Sequence, residues 1–349
     1  MKNFVNKRAA SLQPSGIRKF FDIVQKMEGA VSLGVGEPDF VTPWDVRDAA
    51  IRSLQRGYTQ YTGNRGLPEL RSLISRYLAE RFSVNYPPER TIVTVGASEA
   101  IDLALRAVCD DGDEILIPEP SYVSYAPAVT LAGGTPVAVK CVAGNDFILT
   151  PDLLEKAITS KTKAVIIAYP NNPTGAVMTK EQLEALVPVI EKHDLLVISD
   201  EIYAELTYIG RHVSIASLGN MAERTVLING FSKAFAMTGW RVGFVCAPAE
   251  IDAAMLKIHQ YTILCAPQMS QRAAVAALKN GFDDGFATVE EMREEYGRRG
   301  RFLVNAFNSL GLKCFRPKGA FYVFPSVEST GLDGESFANG LLEKYKVAV

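Results

Sequence analysis

One short segment with anion-binding character follows an apolar run that the sequence predicts to be a β-strand. The run covers residues 91–95, and Gly96, Ala97 and Ser98 come next, at the start of a helical pattern. Small residues in such a turn let backbone N–H groups approach an anion, and the dipole of the helix favours a phosphate there. The sequence therefore predicts a phosphate-type anion site at this turn.

Further polar residues follow three other apolar runs of the same kind. They are Asn172 after the run 164–168, Asp200 and Tyr203 after 195–199, and Lys233 and Arg241 after 225–229. In open α/β sheets, ligands bind at the carboxyl ends of the strands, so we expect all of these side chains at one edge.

Each of these residues also has an ordinary structural interpretation. A single Lys233 is most often a solvated surface residue, and Asp200 alone suits a helix N-cap. Residues 172–175 alone suit a turn. The coincidence of all these residues at one sheet edge favours a ligand site.

The elements that must position these residues alternate along the chain. The predicted strands are seven short, mostly continuous apolar runs, at residues 91–95, 114–118, 135–139, 164–168, 195–199, 225–229 and 242–247. Such runs are typical of strands that are covered on both faces. Helical patterns separate most of them, including 97–109 and 179–192, where Thr179 and Gln182 form a capping-box pattern. This alternation predicts an α/β fold with a mostly parallel sheet flanked by helices.

Two domains are predicted from the change of pattern along the chain. We place a large domain at residues 41–282 and a smaller α+β domain in residues 1–40 plus 283–349. The first 40 residues are rich in loop-forming residues, and residues 287–310 form a long charged helical pattern. A strand at residues 319–324 and a helix near residues 336–343 complete the small domain.

Composition excludes several classes of protein. The 349 residues carry a formal charge of -2 without a basic run, so we expect no nucleic-acid or membrane partner. The five cysteines are widely spaced and predict neither a disulfide framework nor a zinc site, which favours a cytoplasmic location. Residues 34–39 do not complete a dinucleotide-binding motif, and no metalloprotease or serine-hydrolase motif occurs. We expect no metal, and the three histidines are interpreted as surface or helix residues.

A longer motif identifies a family resemblance. Residues 230–243 read Gly-Phe-Ser-Lys-Ala-Phe-Ala-Met-Thr-Gly-Trp-Arg-Val-Gly, and this segment resembles the cofactor-lysine signature of class I/II aminotransferases. Residues 34–38, 61–66, 172–175 and 200–203 resemble further motifs of the family, in the right order. The resemblance runs from about residue 10 to the end of the chain. It implies the fold type I architecture, with a seven-stranded sheet, a split small domain and a homodimer with active sites at the interface.

The resemblance also implies a cofactor, pyridoxal 5'-phosphate, and a role for each site residue. Lys233 is expected to bond to the cofactor aldehyde as an imine and later to carry a proton. Asp200 is expected beside the pyridine nitrogen, where a carboxylate favours the cationic ring. Asn172 and Tyr203 are expected to hydrogen-bond the ring hydroxyl oxygen.

The remaining roles concern the phosphate, the ring face and the substrate. By the same resemblance, Arg241, Ala97 and Ser98 bind the phosphate, and Tyr122 lies against the cofactor ring. Tyr61 reaches the phosphate of the partner subunit. The substrate-binding residues are Gly36 (through its backbone), Asn172, and Ile17, which covers the substrate.

The activity that the resemblance implies is transfer of an amino group between an L-amino acid and a 2-oxo acid by a ping-pong mechanism. Some relatives that prefer acidic substrates carry lysine at the position of Ser98, so the neutral serine favours aromatic or broad-range substrates. Aspartate transamination, a cysteine-conjugate β-lyase activity and a cofactor-binding regulatory role are the alternatives. Gly230 replaces a serine of some relatives, which removes at most one hydrogen bond to the phosphate.

The end of the chain gives one more expectation. Relatives continue past the segment that matches residues 346–349 and place there an arginine that binds the substrate carboxylate. The chain ends at Val349, on an apolar run that predicts a truncation. We therefore expect it to bind cofactor but to turn over slowly, because a bidentate arginine–carboxylate pair carries much of the substrate affinity.

Overall fold

A seven-stranded mixed sheet organises the protein. The computed structural model describes residues 4–14 and 27–349. The strands, labelled in chain order, are β1 Val31–Ser32, β2 Thr91–Thr94, β3 Glu114–Glu119, β4 Thr135–Lys140, β5 Thr162–Ile167, β6 Leu196–Asp200, β7 Thr225–Gly230, β8 Gly243–Cys246 and β9 Val347–Ala348. The large sheet has the order β2-β8-β7-β6-β5-β3-β4. Its strands run parallel except β8, which is antiparallel to both neighbours. The predicted seven-stranded, mostly parallel sheet is thus confirmed.

Helices cover both faces of this sheet. In chain order, the helices of the described residues are α1 Lys7–Ser11, α2 Trp44–Gln55, α3 Pro68–Phe82, α4 Gly96–Val108, α5 Tyr125–Ala132, α6 Pro151–Ala157, α7 Lys180–Lys192, α8 Ala249–Thr262, α9 Gln268–Asp284, α10 Ala287–Ser309 and α11 Gly334–Tyr345. On one face, α4 and α8 pack over Ile92, Ile198 and Val226 of the strands. On the other, α3 and α9 pack over Leu227 and Phe244. Since both faces are covered, most strands contain a continuous apolar run.

Two of the predicted helix starts are present. The Thr179 hydroxyl accepts from the backbone of Gln182, whose side chain accepts from the backbone N–H of Thr179, so the capping box of α7 is complete. Helix α4 begins at Gly96, directly after β2. Gly96 has a φ of +74°, a conformation that favours glycine. The turn predicted to bind an anion therefore does open a helix.

The predicted strand at residues 319–324 is wrong. Gly319 makes only an isolated bridge with Thr207, and Ala320 has a positive φ of 55°. The backbone N–H of Gly319 donates to Gly175, and that of Ala320 donates to Leu206. These bonds tie the segment to loops instead of a neighbouring strand, although its apolar residues are typical of a strand.

The segments before and after the large sheet meet in a second, small sheet. Strand β1 pairs in parallel with β9, with Val31 opposite Val347 and Ser32 opposite Ala348. The backbone of residues 31–33 therefore lies against the last residues of the chain. Within the described residues, none of the helices has the length and apolar character needed to cross a membrane.

Candidate active site

A cavity of about 600 Å³ opens at the carboxyl edge of the large sheet. Its walls include most of the residues that the sequence predicts for a ligand site, namely Gly36, Ala97, Ser98, Tyr122, Asn172, Asp200, Tyr203, Lys233 and Arg241. Tyr61 does not line it and is 82% exposed. Ile17 lies outside the described residues. The predicted convergence at the sheet edge therefore holds for the residues that follow strands, and Gly36 and Tyr122 line the same cavity.

Lys233 lies in the loop between β7 and β8 and is partly buried. Its ammonium group donates to the backbone carbonyl oxygen of Gly36 and lies 5.6 Å from the ring centre of Tyr203. Burial lowers the pKa of Lys233 to about 8, assisted by the nearby charge of Arg241 and opposed by Glu37 and Asp200. A larger neutral fraction at neutral pH makes this amine a better base and nucleophile than a surface lysine.

Asp200 is the last residue of β6, and only 6% of it is exposed. The Tyr125 hydroxyl donates to its Oδ2 at 2.8 Å, and the Ile202 N–H donates to its Oδ1 at 3.1 Å. Burial raises the pKa of Asp200 to about 6, although both hydrogen bonds and the charge of Lys233 oppose the rise. A buried carboxylate in this state would be stabilised by a cationic group in the cavity.

Two tyrosines form a hydrogen-bonded pair on the cavity wall. The hydroxyl groups of Tyr203 and Tyr322 lie 2.6 Å apart. Burial raises the pKa of Tyr322 to about 12 and that of Tyr203 well above its ordinary value, so both phenols keep their protons at neutral pH. A Cβ atom at Gly36 would lie 2.5 Å from the Tyr322 hydroxyl, so a larger residue there would displace this phenol.

The anion-binding turn and Arg241 meet because β8 runs antiparallel between β2 and β7. Thr94 is paired with Gly243, and this register brings the start of β8 against the start of α4. A Cβ atom at Gly243 would lie 2.7 Å from the carbonyl carbon of Gly96, and one at Gly96 would collide with the guanidinium of Arg241. The two glycines thus keep open a cradle of helix N–H groups and one guanidinium, which suits a phosphate.

The turn at residues 171–175 presents Asn172 to the cavity. The neighbouring Asn171 is buried, and its Oδ1 accepts from the backbone N–H of Thr174 at 3.1 Å and from its hydroxyl at 2.8 Å. Asn171 therefore holds the turn, which leaves the amide of Asn172 free to line the cavity. Tyr122 contributes an aromatic wall and packs edge-on against Tyr125, with ring centres 5.6 Å apart.

The sequence does not identify two residues of the site, Tyr125 and Tyr322. Tyr125 begins α5, three residues after Tyr122, and nothing in that spacing indicates its bond to Asp200. Tyr322 belongs to the segment that is wrongly predicted as a strand. Among the described residues, no group of acidic, cysteine and histidine side chains could hold a metal ion.

The histidines differ in part from the prediction. His193 follows α7 and is partly exposed, and His259 lies in α8. His212 is buried outside any helix, where it bonds Glu201 at 2.9 Å, so the prediction of a surface or helix residue is wrong for it. A carboxylate partner compensates for the burial of this polar ring.

Known proteins are similar over essentially the whole chain. The family profile described as aminotransferase class I and II matches residues 28–349. A putative aminotransferase of Bacillus subtilis, YugH, is 53% identical over 100% of this chain and 90% of its own length. Aromatic-amino-acid aminotransferase 2 of Thermococcus litoralis is 44% identical over 99% of this chain and 89% of its own.

A solved structure gives the same result in three dimensions. The aspartate aminotransferase from Thermus thermophilus with maleate superimposes with a TM-score of 0.95 and is 38% identical, covering 100% of this chain and 91% of the other. The profile match, the sequence identities and the shared fold agree with the lysine-centred cavity. The chain belongs to the class I and II aminotransferases and is a pyridoxal-phosphate-dependent transaminase.

Proposed function

We propose that Lys233 is the residue that holds pyridoxal 5'-phosphate covalently and that moves a proton during amino-group transfer. The observation that carries this proposal is the partly buried amine of Lys233, with its pKa lowered to about 8, in the same cavity as the buried Asp200. When bound, the cofactor supplies an aldehyde that takes up amino groups and a ring that withdraws electrons. The amine of Lys233 can then accept and return a proton at Nζ, as a general base and acid.

The other walls of the cavity suit the other parts of the cofactor. We propose that Asp200 pairs with the ring nitrogen, because its buried carboxylate gains from a cationic partner. Asn172 and Tyr203 would hydrogen-bond the ring hydroxyl oxygen, and Tyr122 would lie against the ring. The phosphate would occupy the cradle of Ala97, Ser98 and Arg241, which the two glycines keep open.

For the substrate, we propose aromatic or broad-range amino acids as donors and 2-oxo acids as acceptors. Gly36 would offer its backbone to the substrate, beside Asn172 and Ile17. Among the described residues that line the cavity, Lys233 and Arg241 are the only cations, and both are assigned to the cofactor. An acidic side chain would therefore lack a charged partner in this wall, whereas Tyr122, Val35 and Val123 suit an apolar one.

This preference predicts the ranking of amino-group donors. We expect kcat/KM for phenylalanine to exceed that for aspartate by about tenfold or more, because the aspartate side chain would be desolvated without a cation. The measurement compares phenylalanine, aspartate and alanine with one 2-oxo acid acceptor. In Ser98→Lys, which adds a cation to the wall, the ratio should shift toward aspartate. A strong preference of the unaltered chain for aspartate would instead support the aspartate aminotransferase alternative.

The same assay distinguishes transamination from β-elimination. With a cysteine conjugate and no acceptor, a transaminase stops once its cofactor has been converted, whereas a lyase continues to release pyruvate and ammonia. We expect no sustained release without acceptor. Continued release would favour the lyase, and the absence of any reaction with cofactor bound would favour a regulatory role.

We further propose a homodimer in which Tyr61 completes the partner's site. Tyr61 and Tyr261 are 82% and 86% exposed. Their segments are joined because the Asn64 amide donates to the carbonyl oxygen of Leu264 at 2.9 Å. Large exposed rings on joined segments are typical of an interaction surface.

We also propose the division into a large domain at 41–282 and a small domain in the remaining residues. We propose a cytoplasmic location, because the cysteines are free thiols.

Hybrid dimers test the position of Tyr61. Lys233→Ala and Tyr61→Ala should each be defective alone, and subunit exchange between them should restore about a quarter of the native sites, since half of the dimers become hybrids with one intact site. The measurement is activity after mixing and refolding of the two variants, with each variant refolded alone as the control. No recovery from the mixture, although hybrids form, would contradict the shared site.

A further inference from the structure

We propose that Glu99 and His259 form a positioning pair that holds the turn at residues 95–98 in the geometry that receives the cofactor phosphate. The pair lies behind the turn, and neither residue lines the cavity. The inference rests on the proposed function, in which Ala97, Ser98 and Arg241 bind that phosphate. It assigns a function to the buried His259 and the partly buried Glu99, which this mechanism does not use.

The Glu99 side chain hydrogen-bonds the backbone at the start of the turn. Its Oε2 accepts a hydrogen bond from the backbone N–H of Val95, the residue that precedes Gly96. Its Oε1 lies 2.6 Å from Nδ1 of His259. Because a carboxylate only accepts hydrogen bonds, the histidine ring donates through Nδ1. One carboxylate thus joins the start of α4 to the side chain of His259.

Burying the polar side chains of Glu99 and His259 is unfavourable unless the bond between them has a function. The His259 side chain is 0% exposed and that of Glu99 is 10% exposed. In the part of the chain that the structure describes, Nε2 of His259 is buried without a hydrogen-bond partner. A buried polar atom without a partner is destabilising, so an apolar residue would suit this space better if packing were the only requirement. The bond to Glu99 is the feature that an apolar residue could not supply.

The helix that carries His259, α8, is held in place by contacts of its own. In α8, Asp252 accepts two hydrogen bonds from the guanidinium of Arg65, at 2.8 and 2.6 Å. Arg65 is itself joined to β2, because its carbonyl oxygen accepts from the N–H of Val93 at 3.1 Å. Met255, on the same helix, is fully buried. The pair therefore connects the turn to a helix that is fixed to the strand leading into it.

An ordinary helix cap is the competing interpretation. A glutamate near the start of a helix can accept from a backbone N–H there and stabilise the helix alone. Such a cap would affect folding, but it would not discriminate between ligands with and without a phosphate. A positioning role should weaken the binding of pyridoxal phosphate specifically, because the turn contacts only the phosphate in the proposed function.

The test uses Glu99→Gln, which keeps the shape of the side chain but replaces one acceptor oxygen by an amide nitrogen. The apo-protein is titrated with pyridoxal phosphate and, separately, with pyridoxal, which lacks the phosphate. We expect the Kd for pyridoxal phosphate to rise about tenfold or more, as for a lost hydrogen bond to a charged group, while that for pyridoxal stays unchanged. The matched control is Glu155→Gln, because Glu155 also bonds a histidine, His193 at 2.9 Å, and neither residue lines the cavity. It should change neither Kd.

A second variant, His259→Phe, keeps a ring in the same space and removes the Nδ1 donor. It should weaken the binding of pyridoxal phosphate relative to pyridoxal in the same direction. If both variants fold and the ratio of the Kd for pyridoxal phosphate to that for pyridoxal is unchanged, the inference is wrong. It is also wrong if neither variant yields a folded apo-protein, since the pair would then stabilise the fold as a whole. If the unaltered chain failed to bind pyridoxal phosphate, the proposed function itself would be wrong, which is a distinct result.

Discussion

Replacing Lys233 by alanine should lower kcat for transamination by about 10⁴-fold or more, because the change removes the residue proposed as both the covalent attachment point and the general base. The unaltered protein with pyridoxal phosphate should show an absorbance band of the covalently held cofactor that borohydride bleaches. The variant should lack that band while it still binds the cofactor through the cradle of Ala97, Ser98 and Arg241. Absorbance spectra and steady-state rates check both expectations.

The control for this substitution is Lys192→Ala, since Lys192 pairs with Glu155 on the surface and has a side chain that is 64% exposed. It should leave the band and the rate unchanged. Added methylamine should return part of the rate of Lys233→Ala by supplying a free amine. In the unaltered apo-protein, the rate of cofactor attachment should rise with pH through about 8, the pKa to which burial brings Lys233. A Lys233→Ala variant with the native band would contradict the assignment.

Replacing Asp200 by asparagine should lower kcat by about 10³-fold, because a preorganised charge is lost where the reaction develops charge.

The Asp200→Asn change should also make the apo-protein more stable above pH 6. The folded state raises the pKa of Asp200 from 3.8 to about 6, mainly through burial. Its contribution to stability is therefore fully present below pH 3.8 and is lost as the pH rises through about 6.

Asparagine carries no charge, so it avoids this loss. The free energy of unfolding of Asp200→Asn should exceed that of the unaltered apo-protein by up to about 3 kcal/mol at pH 8, and the difference should fall to about 0.5 kcal/mol at pH 4. Urea denaturation at both pH values measures it. Asp194→Asn is the control, because the Asp194 side chain is 91% exposed. Equal stabilities of Asp200→Asn and the unaltered protein at pH 8 would show that the buried carboxylate carries no such cost.

Much of the fold could be predicted from the sequence because the strands are buried on both faces. A fully buried strand such as β7, whose six residues are all buried, contains the continuous apolar run 226–228 and is therefore conspicuous. The segment at residues 319–324 has a similar composition, yet its hydrogen bonds are made to loops. Its residues Ala320, Phe321 and Tyr322 pack in one cluster with Tyr203 and Met292, and local sequence does not distinguish this burial from burial in a sheet.

The site could be predicted where its residues directly follow strands. Asp200 ends β6, and the turn at Gly96 follows β2. Because both lie at the carboxyl ends of strands in one sheet, their proximity can be predicted from the strand positions alone. Tyr125 and Tyr322 could not be predicted in this way, because their bonds to Asp200 and Tyr203 join segments that are distant in the sequence. The proposed role of Tyr61 depends on a second subunit, which no pattern within one chain specifies.

The reversed direction of β8 also has a consequence for the order of folding events. Lys233 and Arg241 belong to one loop because β7 and β8 are antiparallel neighbours. Their approach is local and needs little loop closure, whereas Gly96 joins them only after β2 has paired with β8 across a long stretch of chain. We therefore expect the proposed phosphate cradle to be complete only late in refolding. Uptake of pyridoxal phosphate during refolding would then report the final pairing of the sheet, and not the earlier collapse of its parallel core.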